Sequence, residues 1–235
     1  MRGAAGMRNR WMGAVAAGLL LTMMPAGGAS PAKRSEPPGE RHSVETKGEK
    51  TMTTALLLID IQNDYFPGGK MELVGSEAAG AKARLLLDHF RKAGWPVVHV
   101  RHESTEPGST FFLPGTAGAQ IREVVRPVGG EIVVTKHFPN AFLQTGLADR
   151  LHALGVQRVV AAGMMTHMCV DATVRAGADL GFDMVVASDA CATRNLTWQG
   201  ETVPAASVQG AFLAALASAY AEVLPAEALL KKLGI

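Results

Sequence analysis

From Ala55 to Leu233 the chain alternates short apolar, β-branched runs with longer amphipathic stretches, and this alternation constrains its fold more than any other feature. The spacing predicts strands at Ala55–Ile61, Pro96–Arg101, Glu131–Thr135, Arg158–Ala162 and Asp183–Ala187, with a short sixth at Ala221–Leu224. It predicts helices at Ser76–Ala93, Ala141–Leu154, Cys169–Leu180, Ala205–Tyr220 and Ala226–Leu233, and a short one within 118–125. Gly94, Gly155 and Gly181 each stand just past a helical stretch, where a residue free to turn left-handed ends a helix. Strands apolar on both faces belong in a parallel sheet covered by helices on either side. The expected architecture is therefore one α/β domain, a Rossmann-like three-layer α/β/α sandwich around a mainly parallel six-stranded sheet.

Residues 1–51 are of another kind. Arg2, Arg8 and Arg10 precede an apolar run from Trp11 to Met24, and Pro25-Ala26-Gly27-Gly28-Ala29-Ser30 follows it. A basic start, a short apolar middle and small residues form the layout of a secretory signal peptide, and the run is too short for a comfortable transmembrane helix. Residues 31–51 are charged and lack periodicity, as a linker does. A second reading starts the protein at Met52, directly ahead of the first strand. Lys47-Gly48-Glu49-Lys50 has a possible purine-rich coding sequence of the kind that binds ribosomes, which would make 1–51 translated leader. A start at Met52 implies a cytoplasmic protein; the signal reading implies an exported one. Residues 52–235 form the domain under either reading.

In a doubly wound sheet, ligands bind beyond the carboxyl ends of the strands. That rule selects Asp60 near the end of the first strand, Lys136 at the end of the third, and Cys169 in the loop after the fourth. Asp60 interrupts an apolar run, and a carboxylate there is costly unless paired. It is either half of a structural ion pair or a base. Lys136 taken alone is an ordinary strand-end lysine. Cys169 stands where a strand breaks into a helix, where unpaired N–H groups and the helix dipole favour a thiolate. His99 and His102 are three apart on a strand and face opposite ways, which argues against a metal pair. The formal net charge is only +2, giving no reason to expect a nucleic-acid partner, and two cysteines make no disulfide scaffold.

Three segments together resemble the isochorismatase-like cysteine hydrolases. They are Leu58-Ile59-Asp60-Ile61-Gln62-Asn63-Asp64-Tyr65-Phe66, Val134-Thr135-Lys136-His137-Phe138 and Gly163-Met164-Met165-Thr166-His167-Met168-Cys169-Val170. The resemblance implies an Asp60–Lys136–Cys169 triad cleaving an amide C–N bond through a thioester, with no cofactor. It also implies a cis peptide before Thr166, at Met165–Thr166, with the N–H groups of Thr166 and Cys169 as oxyanion donors. Gln62, Phe66, His137, Phe138, Phe142 and His167 are expected to border the substrate, although aromatic residues of this kind more often simply fill a core. Cys191 reads as a small buried residue.

Two departures narrow the expectation. Nicotinamidases of this superfamily carry an Asp-x-His metal motif after the second strand; Arg101-His102-Glu103-Ser104-Thr105 lacks it, so no metal is expected. Siderophore-type isochorismatases cleave a vinyl ether and lack the nucleophilic cysteine. Cys169 therefore favours a small-molecule amide, ureide or lactam substrate over vinyl-ether hydrolysis or a redox-sensing role. Ser109–Thr116 resembles the corresponding stretch of general cysteine hydrolases, including enzymes that open the lactam of streptothricin-type antibiotics, and is expected to form a loop at the pocket mouth. The resemblance further implies a homo-oligomer without membrane attachment in its mature form.

Overall fold

The structure, a computed structural model, describes residues 52–235; the signal-or-leader segment 1–51 lies outside them. Six strands form one sheet: β1 (Thr54–Ile59), β2 (Val97–His102), β3 (Ile132–Lys136), β4 (Arg158–Met164), β5 (Asp183–Ala192) and β8 (Ala221–Leu224). Their order is β3-β2-β1-β4-β5-β8, and every neighbouring pair is parallel. The expected sandwich is thus present.

β1 is buried along its whole length, and its residues alternate between two cores. Leu56 and Leu58 join Ala83, Leu86, Leu87 and Phe90 of α1 (Ser76–Ala93) and Leu229 and Leu230 of α5 (Ala226–Leu233). Ala55, Leu57 and Ile59 join the opposite core, with Leu147 and Leu151 of α2 (Leu147–Ala153), Val174 of α3 (Asp171–Asp179) and Leu216 of α4 (Ala205–Ala219). Two such cores explain why β1 reads as a continuous apolar run. Among the described residues, no helix is long and apolar enough to cross a membrane.

The sequence places α1, α5 and β8 at their observed bounds. It overextends α2, expected from Ala141. Gln144 and Gly146 take φ of 58° and 68°, so a right-handed helix cannot run through them, and 141–145 is a chain of turns. The short helix expected within 118–125 is a 3₁₀ turn at Glu123–Val125. A hairpin, β6 (Leu196–Trp198) with β7 (Glu201–Val203), went unforeseen. Its turn is Gln199-Gly200, with φ of 50° and 85°, the positive pair that a two-residue hairpin loop requires.

One glycine is indispensable to the sheet's centre. A Cβ on Gly163 would lie 2.0 Å from the Ile59 carbonyl oxygen, and Gly163 adopts φ of 141°. Only a residue without a side chain lets β4 lie this close to the end of β1. The same residue marks a register shift in the β4–β5 pairing, after which Gly163 pairs with Cys191. That shift carries β5 on to Ala192, beyond the expected end at Ala187.

Candidate active site

The strand order reverses between β1 and β4, so the crevice beyond their carboxyl ends is the topological switch point. Asp60 leaves β1 there in a left-handed conformation, φ 51°, which aspartate tolerates better than most residues. Its N–H still bonds the Val100 carbonyl of β2 at 2.9 Å, so the turn is fixed to the sheet. Lys136 ends β3, two strands away. Its length matters, because the side chain must reach past β2 to Asp60.

It does so. Lys136 Nζ lies 2.6 Å from Asp60 Oδ2, and both side chains are fully buried. The same ammonium donates to Cys169 Sγ at 3.3 Å and to His102 Nδ1 at 3.0 Å. Both Asp60 oxygens lack a well-formed hydrogen bond among the described residues, so the contact with Lys136 is an ion pair that leaves lone pairs open. Carboxyl, ammonium and sulfur, selected separately from strand ends, form one cluster.

Cys169 sits in a turn wider than an α-helix. Residues Thr166–Val170 form a π-helical turn leading into α3, closed by the Val170 N–H on the Met165 carbonyl at 3.2 Å. Turns of this kind often occur at functional sites. The helix expected to open at Cys169 therefore begins earlier and in another form. The cis bond also falls elsewhere: it joins Met164 to Met165, not Met165 to Thr166. The Met165 carbonyl already accepts from Met168 and Val170, so the Met165–Thr166 peptide is part of the turn.

The electrostatics differ from the simple helix-terminus expectation. Burial, and then the neighbouring Asp60 charge, push the Cys169 thiol far above its ordinary value, and Lys136 only partly offsets them. Asp60 is itself raised, because burial outweighs the pull of Lys136. Burial works against a charged Lys136, yet Asp60 and Cys169 together keep its ammonium above the usual range. Burial thus works against charge on both Asp60 and Cys169, and of the three groups only Lys136 is shifted toward its charged form. Cys191, by contrast, is pushed up to about 12 by burial, with one N–H, from Gly163, favouring the thiolate.

The remaining expected residues divide. Gln62 is wholly buried and its amide is spent on backbone: Nε2 donates to the carbonyls of His102 (2.9 Å) and Ala119 (2.8 Å), and Oε1 accepts from the His102 N–H (2.7 Å). Phe66 is buried in the α1-side core beneath the Arg122 guanidinium. Phe142 stacks on Phe182 in the opposite core. His137 is exposed and its Nδ1 meets the Glu103 carbonyl oxygen, while Phe138 is surface-exposed. His167 and Thr166 belong to the cysteine turn. His167 Nδ1 contacts Thr193 Oγ1, and Thr166 Oγ1 donates to Gln209 Oε1 and the Ala192 carbonyl.

Two neighbours of the triad escaped the sequence reading. Along its own strand His102 offers only a comparison with His99 as a metal pair, which their spacing argues against. The two do face opposite ways, with His99 Nε2 on Glu131 and His102 on Lys136. Register was the missing signal, since His102 pairs directly with Lys136 across β2 and β3. Tyr65 packs edge-on against Phe112, with ring centres 4.6 Å apart. Its hydroxyl is held well above its ordinary value, by burial first and then by the charges of Cys169 and Asp60. Phe112, in the expected mouth loop, is anchored by its N–H on Asp64 Oδ2 at 2.7 Å.

Comparison with known proteins shows the family of the chain. Residues 54–227 match the isochorismatase domain. The chain is 51% identical over 180 residues to YddQ, an uncharacterized isochorismatase family protein of Bacillus subtilis, covering 77% of this chain and 100% of that one. It is 33% identical over 155 residues to a maleamate amidohydrolase of Pseudomonas putida, covering 60% and 73% of the two chains. The crystal structure of a putative isochorismatase hydrolase from Oleispira antarctica superposes with a TM-score of 0.74 at 52% identity, over 76% of this chain and 96% of that one.

Proposed function

Because the chain belongs to the isochorismatase family of hydrolases, we propose that it cleaves the C–N bond of a small amide, ureide or lactam through a thioester on Cys169. One observation carries the reading. The Lys136 ammonium touches Asp60 and Cys169 at once, in a cluster where all three side chains are buried. A merely structural Asp–Lys pair has no need of a thiol as third member.

The chemistry follows from the open lone pairs of Asp60. As Cys169 Sγ bonds to the carbonyl carbon, its proton passes to Asp60, and the carbonyl electron pair moves onto oxygen. The main-chain N–H groups of Thr166 and Cys169 hold that oxyanion. Collapse re-forms the carbonyl and breaks the C–N bond, while Asp60 returns the proton to the leaving nitrogen. Ammonia or an amine departs and the acyl group stays on sulfur. A water molecule then gives its proton to Asp60 and its oxygen to the acyl carbon. The acid leaves, and the sulfur recovers a proton from Asp60. Lys136 remains charged throughout, facing Asp60 when the carboxylate is the anion and the sulfur when it leaves as thiolate. The similarity to a maleamate amidohydrolase supports a small amide as substrate.

The test is Cys169→Ala, assayed by ammonia release over a panel of small amides, ureides and lactams. The wild type turns over at least one, and an acyl adduct appears on Cys169 by mass spectrometry. The variant folds with an unchanged melting temperature and falls to background. Turnover that survives in the variant rejects the thioester.

A further inference from the structure

We infer that His102 is a positioning residue of this site, whose Nδ1 lone pair holds the Lys136 ammonium against Cys169. The inference deepens the proposed hydrolase reading and rests on it for its catalytic consequence. Its physical basis is separate.

A buried ammonium has three N–H donors and no solvent to satisfy them. Lys136 is fully buried, and three groups surround its Nζ: Asp60 Oδ2 at 2.6 Å, His102 Nδ1 at 3.0 Å and Cys169 Sγ at 3.3 Å. An ammonium only donates, so Nδ1 must accept. The ring is therefore neutral, with its proton on Nε2. Asp60 and Cys169 are reaction partners that exchange a proton; His102 is the one neighbour of the lysine that need not change state. Without it, the flexible lysine stem is free to swing fully onto the carboxylate, and the sulfur loses its cation.

The fold invests specifically in this contact. Register sets His102 beside Lys136 on the neighbouring strand. Gln62 grips both backbone groups of His102, its carbonyl through Nε2 and its N–H through Oε1. The Phe112 ring, itself tethered to Asp64, lies 6.0 Å from the imidazole, tilted by 38°. Burial, Lys136 and His137 together pull the imidazole down to about 4, so it stays an acceptor at neutral pH. Gln62 thus acts at one remove, fixing the residue that fixes the lysine. This assigns a task to the buried glutamine of the first motif, whose amide is hydrogen-bonded to main-chain groups of His102 and Ala119.

The experiment compares His102→Leu with His102→Asn, whose side-chain oxygen can stand where Nδ1 stood. Two quantities are read: kcat/KM on the amide that the wild type turns over, and the rate of iodoacetamide alkylation at the Cys169 peptide, followed by mass spectrometry. The Leu variant is expected to lose roughly 10- to 100-fold in kcat/KM, the range of a hydrogen bond to a charged group, and to alkylate more slowly. The Asn variant is expected to recover most of both losses. Should the Leu variant not fold, His102→Ala takes its place. Equal impairment of the Asn variant and its partner would mean that ring bulk matters and would overturn the inference; wild-type behaviour in both would do the same. Alkylation needs no substrate, so a failed amide screen would count against the proposed function and leave this test standing.

Discussion

Replacing Lys136 with Met keeps the side-chain length and removes the charge, and its consequence is set by burial. Both members of the Asp60–Lys136 pair are fully inaccessible. The surface range of ~0–1 kcal/mol therefore does not apply; breaking a buried pair from one side costs about 3–5 kcal/mol, because an uncompensated charge is left behind. That cost depends on pH. In the wild type burial already holds Asp60 above its ordinary 3.8, with Lys136 as the largest opposing influence. Without the lysine the carboxyl moves further up and takes a proton to escape the penalty. A carboxyl raised on folding costs nothing below its unfolded value. Above that value the cost grows with pH, until pH passes the folded value and the cost levels off. The stability gap between wild type and variant should therefore be small at about pH 4 and widen toward pH 8, where it reaches the full range. Urea denaturation at both pH values measures it. Turnover should fall by at least ~100-fold, since a protonated Asp60 cannot act as base. A gap of equal size at both pH values, or activity within about twofold of the wild type, would refute the reasoning.

Gly163→Ala tests the close approach of β1 and β4. The added Cβ would sit 2.0 Å from the Ile59 carbonyl oxygen at a φ of 141°, so a loss of more than ~3 kcal/mol in thermal or urea unfolding is expected, together with loss of activity. Glu131→Gln tests an ion cluster at the opposite end of the sheet. Burial opposes the charge of Glu131, but donors from Arg91, Val128 and His99 bring it down to about 2 from 4.5. Its contribution is thus complete above about pH 4.5 and lost as pH falls toward about 2. The variant should be less stable at neutral pH, by up to about 3 kcal/mol, and the difference should close on acidification. A gap that stays constant down to about pH 2.5 would contradict this.

How much of the site was legible in the sequence depended on the kind of information each residue needed. Asp60, Lys136 and Cys169 announce themselves because each breaks a local pattern at a strand end, and the sheet's topology then gathers them. His102 breaks no pattern. Its role follows from pairing register, which lies between strands and not along one. Gln62 presents the converse case: a polar residue near the site reads as a substrate contact, while its amide is committed to main-chain groups of His102 and Ala119. The aromatic residues present a third case. Phe66 and Phe142 neighbour site motifs in sequence, but the turns that carry them send them into the two cores. Proximity along the chain carried no direction.

The proton on Cys169 is where local and tertiary effects compete most directly. A helix terminus is worth ~0.3–1 kcal/mol to an anion, and alone it would favour a thiolate. Burial and the Asp60 charge outweigh it, so the thiol is held far above neutrality. A high value for loss of the proton to solvent is still compatible with a competent nucleophile. Thiol, carboxylate and ammonium sum to zero charge; so do thiolate, carboxylic acid and ammonium. Passing the proton from Cys169 to Asp60 moves charge within the cluster without changing its net buried charge, and so avoids the large desolvation cost of ionising the thiol outright. Lys136, in contact with both partners, faces the anion before and after the transfer. A protonated His102 would add a second positive charge at 3.0 Å from Nζ and break this neutrality. The low-lying imidazole and the poised thiol are therefore parts of one charge balance, and a variant that charges position 102, such as His102→Lys, should lose turnover even where the fold persists.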